Sequence, residues 1–294
     1  MASAGGAEAV EGLDAGASGS VVSASLSVAS ADAGAPVPPP QWPSPAEVLV
    51  EGTQPSEYTE DLAAEGVHVR FGTPRGPVHV WRPKGYDAAT AGVVVYLHGY
   101  YDSVDSAWVE HRLAEQFAGS HRNALFVVPE VPAVRSDDVL WKDLSELLRE
   151  VRRRTRLKSP TGPVVMAGHS GAYRTLATWL DEPRVQELIL LDGLYGYDDE
   201  IASWLRAGKR TAVLVAADTT DRTLAFLRRF PRAVRFEELP DSPEAVSAEQ
   251  RAAPVLYLPT VKFDHMGLVT EGKVLPLVLA LSPLKSVPVL ATQR

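Results

Sequence analysis

A serine placed in a sharp turn between a strand and a helix is the strongest chemical feature of the sequence. The apolar run at residues 164–167 predicts a strand, and Gly168-His169-Ser170-Gly171-Ala172 follows it directly. A helix is predicted from Ala172 onward. Small residues two positions before and after the serine allow the strand and the helix to approach closely. This pattern predicts that Ser170 presents its hydroxyl as a nucleophile.

The elements around this serine alternate between strand and helix. Two short apolar runs, at residues 67–71 and 78–81, flank a turn and predict a hairpin. From residue 93 onward, short continuous apolar runs alternate with helical segments, which is typical of strands that helices cover on both faces. The sequence therefore predicts an α/β fold with a doubly wound, mostly parallel, eight-stranded sheet.

The end of the predicted sheet leaves two interpretations open. The run at residues 234–239 is interpreted as the eighth strand, but another strand-like run follows at residues 255–258. Either the last loop carries an insertion, or the strands before it are miscounted.

A second motif, His98-Gly99-Tyr100-Tyr101, follows the strand predicted at residues 93–97. Together with the turn around Ser170, it resembles the α/β-hydrolase superfamily over roughly residues 65–290. Ala172 stands where that superfamily usually has glycine, so the turn is a variant. The resemblance implies that the backbone N–H groups of Tyr100 and Gly171 form an oxyanion hole. Two such fixed donors stabilise a tetrahedral intermediate by several kcal/mol.

The resemblance also implies the chain order serine, acid, histidine. Of the seven histidines, only His265 follows Ser170, so His265 is predicted to be the general base. His169 is interpreted as a packing or hydrogen-bonding residue rather than a base.

Two strand ends supply the main candidates for the acid. Asp218 follows the strand predicted at residues 212–216, the seventh, where the superfamily most often has its acid. Asp192 follows the sixth, predicted at residues 188–191, which is the known alternative. Asp218 is preferred to Asp192, and Asp221 and Asp264 are minor candidates.

Composition and charge exclude other chemistry. The absence of cysteine excludes cysteine nucleophiles, cysteine-ligated zinc and iron–sulfur clusters. No metal is predicted, because the histidines form no ligand motif. All 29 basic side chains but only 27 of the 37 acidic ones lie after residue 69, so the body of the chain is nearly neutral. We therefore expect no cofactor, no nucleic-acid partner and no membrane span.

The composition divides the chain into two parts. Residues 1–45 are rich in Ala, Gly, Ser and Pro and are predicted to be a disordered tail or linker. Residues 46–294 are predicted to form the α/β-hydrolase domain.

These observations predict a cofactor-free serine hydrolase, resembling a carboxylesterase, that cleaves an ester or amide through an acyl-enzyme on Ser170. The substrate is expected to be a small molecule or a polymer-borne ester or amide. The residues predicted to line its site, besides the oxyanion donors, are His98, Gly99, Tyr101 and Tyr195. The alternatives are a peptidase or acyltransferase that uses the same site, and a catalytically inactive binding protein of the same fold.

Overall fold

A single mixed sheet forms the centre of the protein in a computed structural model that describes residues 58–288. Its strands are β1 (Tyr58–Ala63), β2 (Gly66–Thr73), β3 (Gly76–Arg82), β4 (Gly92–Leu97), β5 (Ala124–Pro129), β6 (Val164–His169), β7 (Val185–Leu191), β8 (Thr211–Ala216), β9 (Val234–Arg235) and β10 (Val255–Pro259). The helices are α1 (Val104–Glu110), α2 (Leu113–Gly119), α3 (Leu144–Thr155), α4 (Tyr173–Thr178), α5 (Asp198–Arg206), α6 (Thr220–Leu227), α7 (Ala248–Arg251), α8 (Gly267–Thr270) and α9 (Val274–Leu281). The predicted tail at residues 1–45 lies outside the described residues.

The strand order is β1-β2-β3-β5-β4-β6-β7-β8-β10-β9. The first three strands are antiparallel, β3 pairs antiparallel with β5, and every later pairing is parallel. The crossing that places β5 between β3 and β4, followed by parallel strands in chain order, is the topology of the α/β-hydrolase fold. The predicted fold class is confirmed.

The predicted count of eight strands is wrong, because the sheet has ten. β1 adds an edge strand whose residues are mostly exposed, so its sequence lacks the continuous apolar run of the other strands. At the opposite edge, the expected eighth strand at residues 234–239 is only the two-residue β9. β10 lies between β8 and β9, beside the predicted seventh strand, and so takes the place expected for the eighth. The strands were therefore miscounted.

Helices cover both faces of the sheet, as the continuous apolar strands predicted. All residues of β4, β5 and β6 are buried. On one face the strands pack against α3, α4, α5 and α6, and on the other against α1, α2, α8 and α9. Two separate apolar cores result, with Trp141 and Trp179 in the first and Trp81 and Phe117 in the second.

The sequence predicts helices at residues 104–117 and 137–154, and both differ from the helices observed. The helix expected at residues 104–117 is divided into α1 and α2, because Arg112 has a left-handed backbone (φ 47°). The helix expected from residue 137 begins only at Leu144, where the Asp143 side chain accepts a hydrogen bond from the N–H of Ser145. This side chain caps the first turn of the helix. Within residues 58–288, no helix combines the length and the apolar character needed to cross a membrane.

Glu187 is a carboxyl group buried within the sheet. It lies in β7, is 3% exposed, and accepts a hydrogen bond of 3.0 Å from the Thr211 hydroxyl. Burial raises the pKa of Glu187 to about 7, although the Thr211 hydrogen bond and the charge of Arg122 oppose this shift. The folded protein therefore keeps a proton that the unfolded chain releases above its ordinary pKa of 4.5.

Because the folded-state pKa of Glu187 is raised, its contribution to the free energy of unfolding is fully present below pH 4.5. This contribution is lost as the pH rises towards about 7. In that window, we expect the free energy of unfolding to fall relative to a Glu187→Gln variant by roughly 1 kcal/mol per pH unit. Urea unfolding at pH 5, 6, 7 and 8 measures this difference. The exposed control Glu237→Gln should have the same pH dependence of unfolding as the wild type. The expectation is contradicted if Glu187→Gln also follows the wild type at every pH.

Candidate active site

Ser170 lies at the sharp turn that follows β6. It is partly exposed, begins a short 3-10 helix (Ser170–Ala172) and has a left-handed backbone with φ of 50°. A Cβ atom on Gly168 would lie 2.8 Å from the Cβ of Ala172 and 2.6 Å from the Leu176 side chain. The close approach of strand and helix therefore requires glycine at position 168, and a methyl group is accommodated at 172.

Backbone strain is concentrated around this turn. Four of the nine described non-glycine residues with positive φ belong to the predicted site or to the segments beside it: Tyr101, Ser170, Asp192 and Tyr197. Each follows the carboxyl end of a parallel strand, in the segments after β4, β6 and β7. Such conformations cost of order 1–3 kcal/mol each and are typical of functional sites. The strain therefore marks this edge of the sheet as the candidate active site.

His265 is held by a buried carboxylate. Its Nδ1 donates a 2.6 Å hydrogen bond to Oδ2 of Asp192, a side chain that is completely buried. The other oxygen of Asp192 accepts 2.7 and 2.8 Å hydrogen bonds from the hydroxyl and the N–H of Thr219. Burial alone would raise the pKa of Asp192, but the hydrogen bonds from His265 and Thr219 lower it well below its ordinary value. Asp192 is thus ionised and fixes the orientation of the imidazole.

Asp218, the preferred candidate in the sequence, lies further from the histidine. Its nearest oxygen is 4.0 Å from Nδ1 of His265, and its side chain is 70% exposed. Its backbone N–H points instead at Asp192 and donates a 3.1 Å hydrogen bond to Oδ2. The segment after β8 thus presents main-chain donors to the carboxylate that ends β7. This geometry reverses the preference, and Asp192 is the acid that the site favours.

His169 connects the nucleophile turn to the loop of His265. Its Nε2 donates a 2.9 Å hydrogen bond to the backbone carbonyl of His265, and the two rings lie 4.5 Å apart between centroids. Burial, followed by the charge of His265, lowers the pKa of His169 to about 3, so the ring is neutral. The sequence predicted a packing or hydrogen-bonding residue here, and the structure shows that hydrogen bond. Among the described residues, the Ser170 hydroxyl has no hydrogen-bond partner, and its link to His265 is therefore a proposal.

The His98-Gly99-Tyr100 segment lies directly against Ser170. A Cβ atom on Gly99 would be 3.0 Å from the Cβ of Ser170, so a side chain here would push the two segments apart by a few tenths of an ångström. The ring of Tyr100 lies 2.5 Å from the point that a Cβ of Gly171 would occupy. The backbone N–H of Tyr100 has no acceptor among residues 58–288. A free donor is therefore positioned beside Ser170, as an oxyanion hole requires.

Tyrosine side chains surround the site. Tyr101, Tyr195 and Tyr197 are among the exposed large side chains of the described chain, with Tyr101 61% exposed. The ring of Tyr173, in the first turn of α4, lies 6.1 Å from that of Tyr195 and 6.0 Å from that of Tyr197. Burial and then the charges of Asp192 and Asp218 raise the pKa of Tyr195 to about 12, so its hydroxyl is protonated.

Two residues that hold the site were not identified from the sequence. Thr219 binds Asp192, and Glu130 binds the ring of His98 (2.8 Å). Both residues lie just after strand ends, β8 and β5 respectively. A search for polar residues at the ends of all predicted parallel strands would have included them.

Three side chains of the site also resemble the ligand set of a metal ion. Ligand atoms of Asp192, Asp218 and His265 lie within 4.8 Å of one another. However, the oxygens of Asp192 already accept hydrogen bonds from four chemical groups besides His265, namely the N–H groups of residues 217, 218 and 219 and the Thr219 hydroxyl. These donors fit a hydrogen-bonded carboxylate better than a metal ligand.

No protein-family model matches the sequence, and no curated protein matches it. Solved structures with a similar fold include an S-formylglutathione hydrolase from Agrobacterium tumefaciens (11% identity, TM-score 0.49, covering 77% of this chain and 99% of that one). A ferulic acid esterase (12%, 0.48, 78% and 100%) and a thermostable carboxylesterase cloned from a metagenomic library (13%, 0.48, 82% and 92%) are similar too.

Proposed function

We propose that this protein is a serine hydrolase that cleaves carboxylic esters, or amides, through an acyl-enzyme on Ser170. The observation that carries the proposal is the His265–Asp192 pair. A half-buried imidazole, fixed at Nδ1 by a buried carboxylate, leaves Nε2 available to act as a base. Ser170 stands in a strained turn beside it, directly after a residue whose ring packs on His265.

In the proposed reaction, the Oγ of Ser170 attacks the carbonyl carbon of the substrate while Nε2 of His265 takes the hydroxyl proton. The tetrahedral intermediate collapses when His265 returns that proton to the leaving alcohol or amine, and the bond to the leaving group breaks. Water then attacks the acyl group on Ser170, with His265 again as the base, and releases the carboxylic acid. Asp192 stabilises the imidazolium in both halves of the cycle.

The negative oxygen of each tetrahedral intermediate requires donors that are fixed before the reaction begins. We assign this role to the backbone N–H groups of Tyr100 and Gly171. The support is the contact of Gly99 with Ser170 and the free N–H of Tyr100. Each such donor contributes about 10²–10³ in kcat in well-studied hydrolases.

We propose that the substrate contacts the surface formed by Tyr101 and Tyr195, with Tyr173 and Tyr197 beside them. These rings offer apolar faces with hydroxyl groups at their edges. A surface of this kind suits a small-molecule or polymer-borne ester. Esterase activity of the carboxylesterase type is therefore the first activity to test, before peptidase or acyltransferase activity at the same site.

Labelling with a fluorophosphonate separates this proposal from the binding-protein alternative, because only an activated serine reacts quickly with it. We expect the folded wild type to gain one phosphonyl group, located on the Ser170 peptide by mass spectrometry. Protein unfolded in urea should react far more slowly at this residue. If the folded protein stays unlabelled, or if the label lies on another serine, Ser170 is not an activated nucleophile and the binding-protein alternative takes the place of this proposal.

A further inference from the structure

The ring of His98 is completely buried beneath the Gly99–Tyr100 segment, and both of its nitrogens face acceptors. Nε2 is 2.8 Å from Oε1 of Glu130, and Nδ1 is 2.8 Å from the carbonyl oxygen of Gly99. A carbonyl oxygen only accepts hydrogen bonds, so Nδ1 carries a proton.

The partner on the other side of the ring is a carboxylate rather than a carboxylic acid. Besides His98, the oxygens of Glu130 accept hydrogen bonds from the backbone N–H groups of Val104 and Val131. These two N–H donors stabilise the charged form of the carboxyl group, and a carboxylate 2.8 Å from Nε2 holds a proton on that nitrogen as well. The ring is thus a buried imidazolium paired with a carboxylate that is 18% exposed.

The other groups around the ring agree with this charge. Burial opposes protonation of His98, but Glu130 and then Asp102 outweigh burial and raise its pKa overall. His111 is the other histidine that is close enough to repel the charge of His98. Burial lowers the pKa of His111 to about 4, so His111 is neutral. No second cation therefore competes with His98 in this cluster of His98, His111, Asp102 and Glu130.

The contact with Gly99 connects this ion pair to the reaction. The carbonyl of Gly99 and the N–H of Tyr100 belong to one peptide unit, which is planar and trans, so the two groups point in opposite directions. A donor that holds the carbonyl on the inner side therefore turns the N–H outward, towards Ser170. At the other end of the segment, Glu130 holds the N–H of Val104, the first residue of α1.

We propose that Glu130 and His98 form a positioning pair that holds the Gly99–Tyr100 peptide so that its N–H faces the oxyanion. The pair also places a fixed positive charge behind this peptide. The inference rests on the proposed function and adds Glu130 to its machinery. Neither side chain touches the substrate. Their effect is therefore expected in the transition state, in kcat, rather than in substrate binding.

The first test is a Glu130→Gln variant, assayed on p-nitrophenyl esters across a range of pH. The amide cannot stabilise the imidazolium, so His98 becomes neutral and keeps one ring proton instead of two. If the amide nitrogen turns to face Nε2, the N–H of Val131 loses its acceptor. We expect kcat to fall about 10- to 100-fold, a loss no larger than that caused by removing one oxyanion donor. KM should change less than about threefold.

The pH profile distinguishes positioning by charge from general structural damage. A raised folded-state pKa means that the His98 charge is lost as the pH rises. The alkaline limb of kcat should therefore move to lower pH in Glu130→Gln. The matched control is Glu146→Gln, which removes the surface carboxylate that binds Arg75 and should leave both kcat and the limb unchanged.

The second test needs no variant of Glu130 and no turnover. In wild-type protein labelled with ¹⁵N-histidine, the two-bond ¹H–¹⁵N spectrum should show one ring with both nitrogens protonated at pH 7.5, and a His98→Gln variant assigns it. A neutral His98 overturns the inference, even if Glu130→Gln fails to fold.

The activity results also separate the two proposals. If the wild type hydrolyses esters and Glu130→Gln matches it in kcat and in pH profile, the positioning pair is wrong and the proposed function stands. If the wild type is neither labelled at Ser170 nor active, the proposed function fails first, and the role of the pair in catalysis fails with it.

Discussion

Replacement of Ser170 with alanine is expected to lower kcat/KM for p-nitrophenyl acetate and butyrate by a factor of about 10⁴ or more. Without the hydroxyl, no acyl-enzyme forms, and only the donors around the oxyanion continue to assist attack by water. The side chain is partly exposed and has no hydrogen-bond partner among the described residues, so its removal should leave the free energy of unfolding nearly unchanged. Initial rates together with urea unfolding measure both quantities.

An exposed serine on α5 is the control for this substitution. Ser203→Ala removes a hydroxyl far from the turn after β6 and should leave the rate at the wild-type value. A Ser170→Ala protein that is folded and retains more than a tenth of the wild-type rate would show that another group attacks the substrate. A contaminating esterase is recognised because its activity would be the same in both variants.

The second large effect is expected at Asp192. In Asp192→Asn, the carboxylate that accepts from Nδ1 of His265 becomes an amide, and the imidazole is no longer held in the tautomer that exposes a basic Nε2. We expect kcat to fall by about 10⁴, with a much smaller change in KM. The amide also keeps only one oxygen, so either the donors of Thr219 or those of His265 and Asp218 lose their acceptor. A moderate loss of stability is therefore expected as well.

Asp218→Asn is the matched comparison, since it is the same substitution at the neighbouring exposed carboxylate. Its side chain is 4.0 Å from Nδ1 and open to solvent, so we expect kcat to change less than about threefold. Steady-state kinetics of the two purified variants, checked for folding by circular dichroism, decide between the acids. A large loss in Asp218→Asn with a small one in Asp192→Asn would restore Asp218 as the acid.

The parts of this site that follow from the sequence are local. The turn around Ser170 is specified by consecutive residues, because the close approach of strand and helix excludes side chains at Gly168 and admits only small ones at Ala172. The segment after β4 is favoured in the same way by Gly99, where a side chain would crowd Ser170. The fold class follows from the alternation of continuous apolar strands with helices, because burial on both faces leaves that pattern in the residues themselves.

The strand count failed where this pattern is weak. β1 is mostly exposed and β9 has two residues, so neither carries a continuous apolar run. β10 carries such a run, but chain order alone does not say that it inserts between β8 and β9. Strand order depends on which edges are free when the chain returns to the sheet, and this is a property of the assembled fold.

The sequence by itself thus determined the class of fold. It also predicted Ser170 as the candidate nucleophile, the adjacent Gly99–Tyr100 segment, and the single histidine that follows Ser170. The tertiary structure alone decided which carboxylate holds His265 and which residue supports His98. Asp192 and Asp218 both end strands, and their distances from His265 differ because the chain after β8 turns its N–H groups, and not its side chain, towards the site. Contacts between residues 73 positions apart, such as His265 and Asp192, depend on how neighbouring strand ends turn, and no local pattern of residues encodes that.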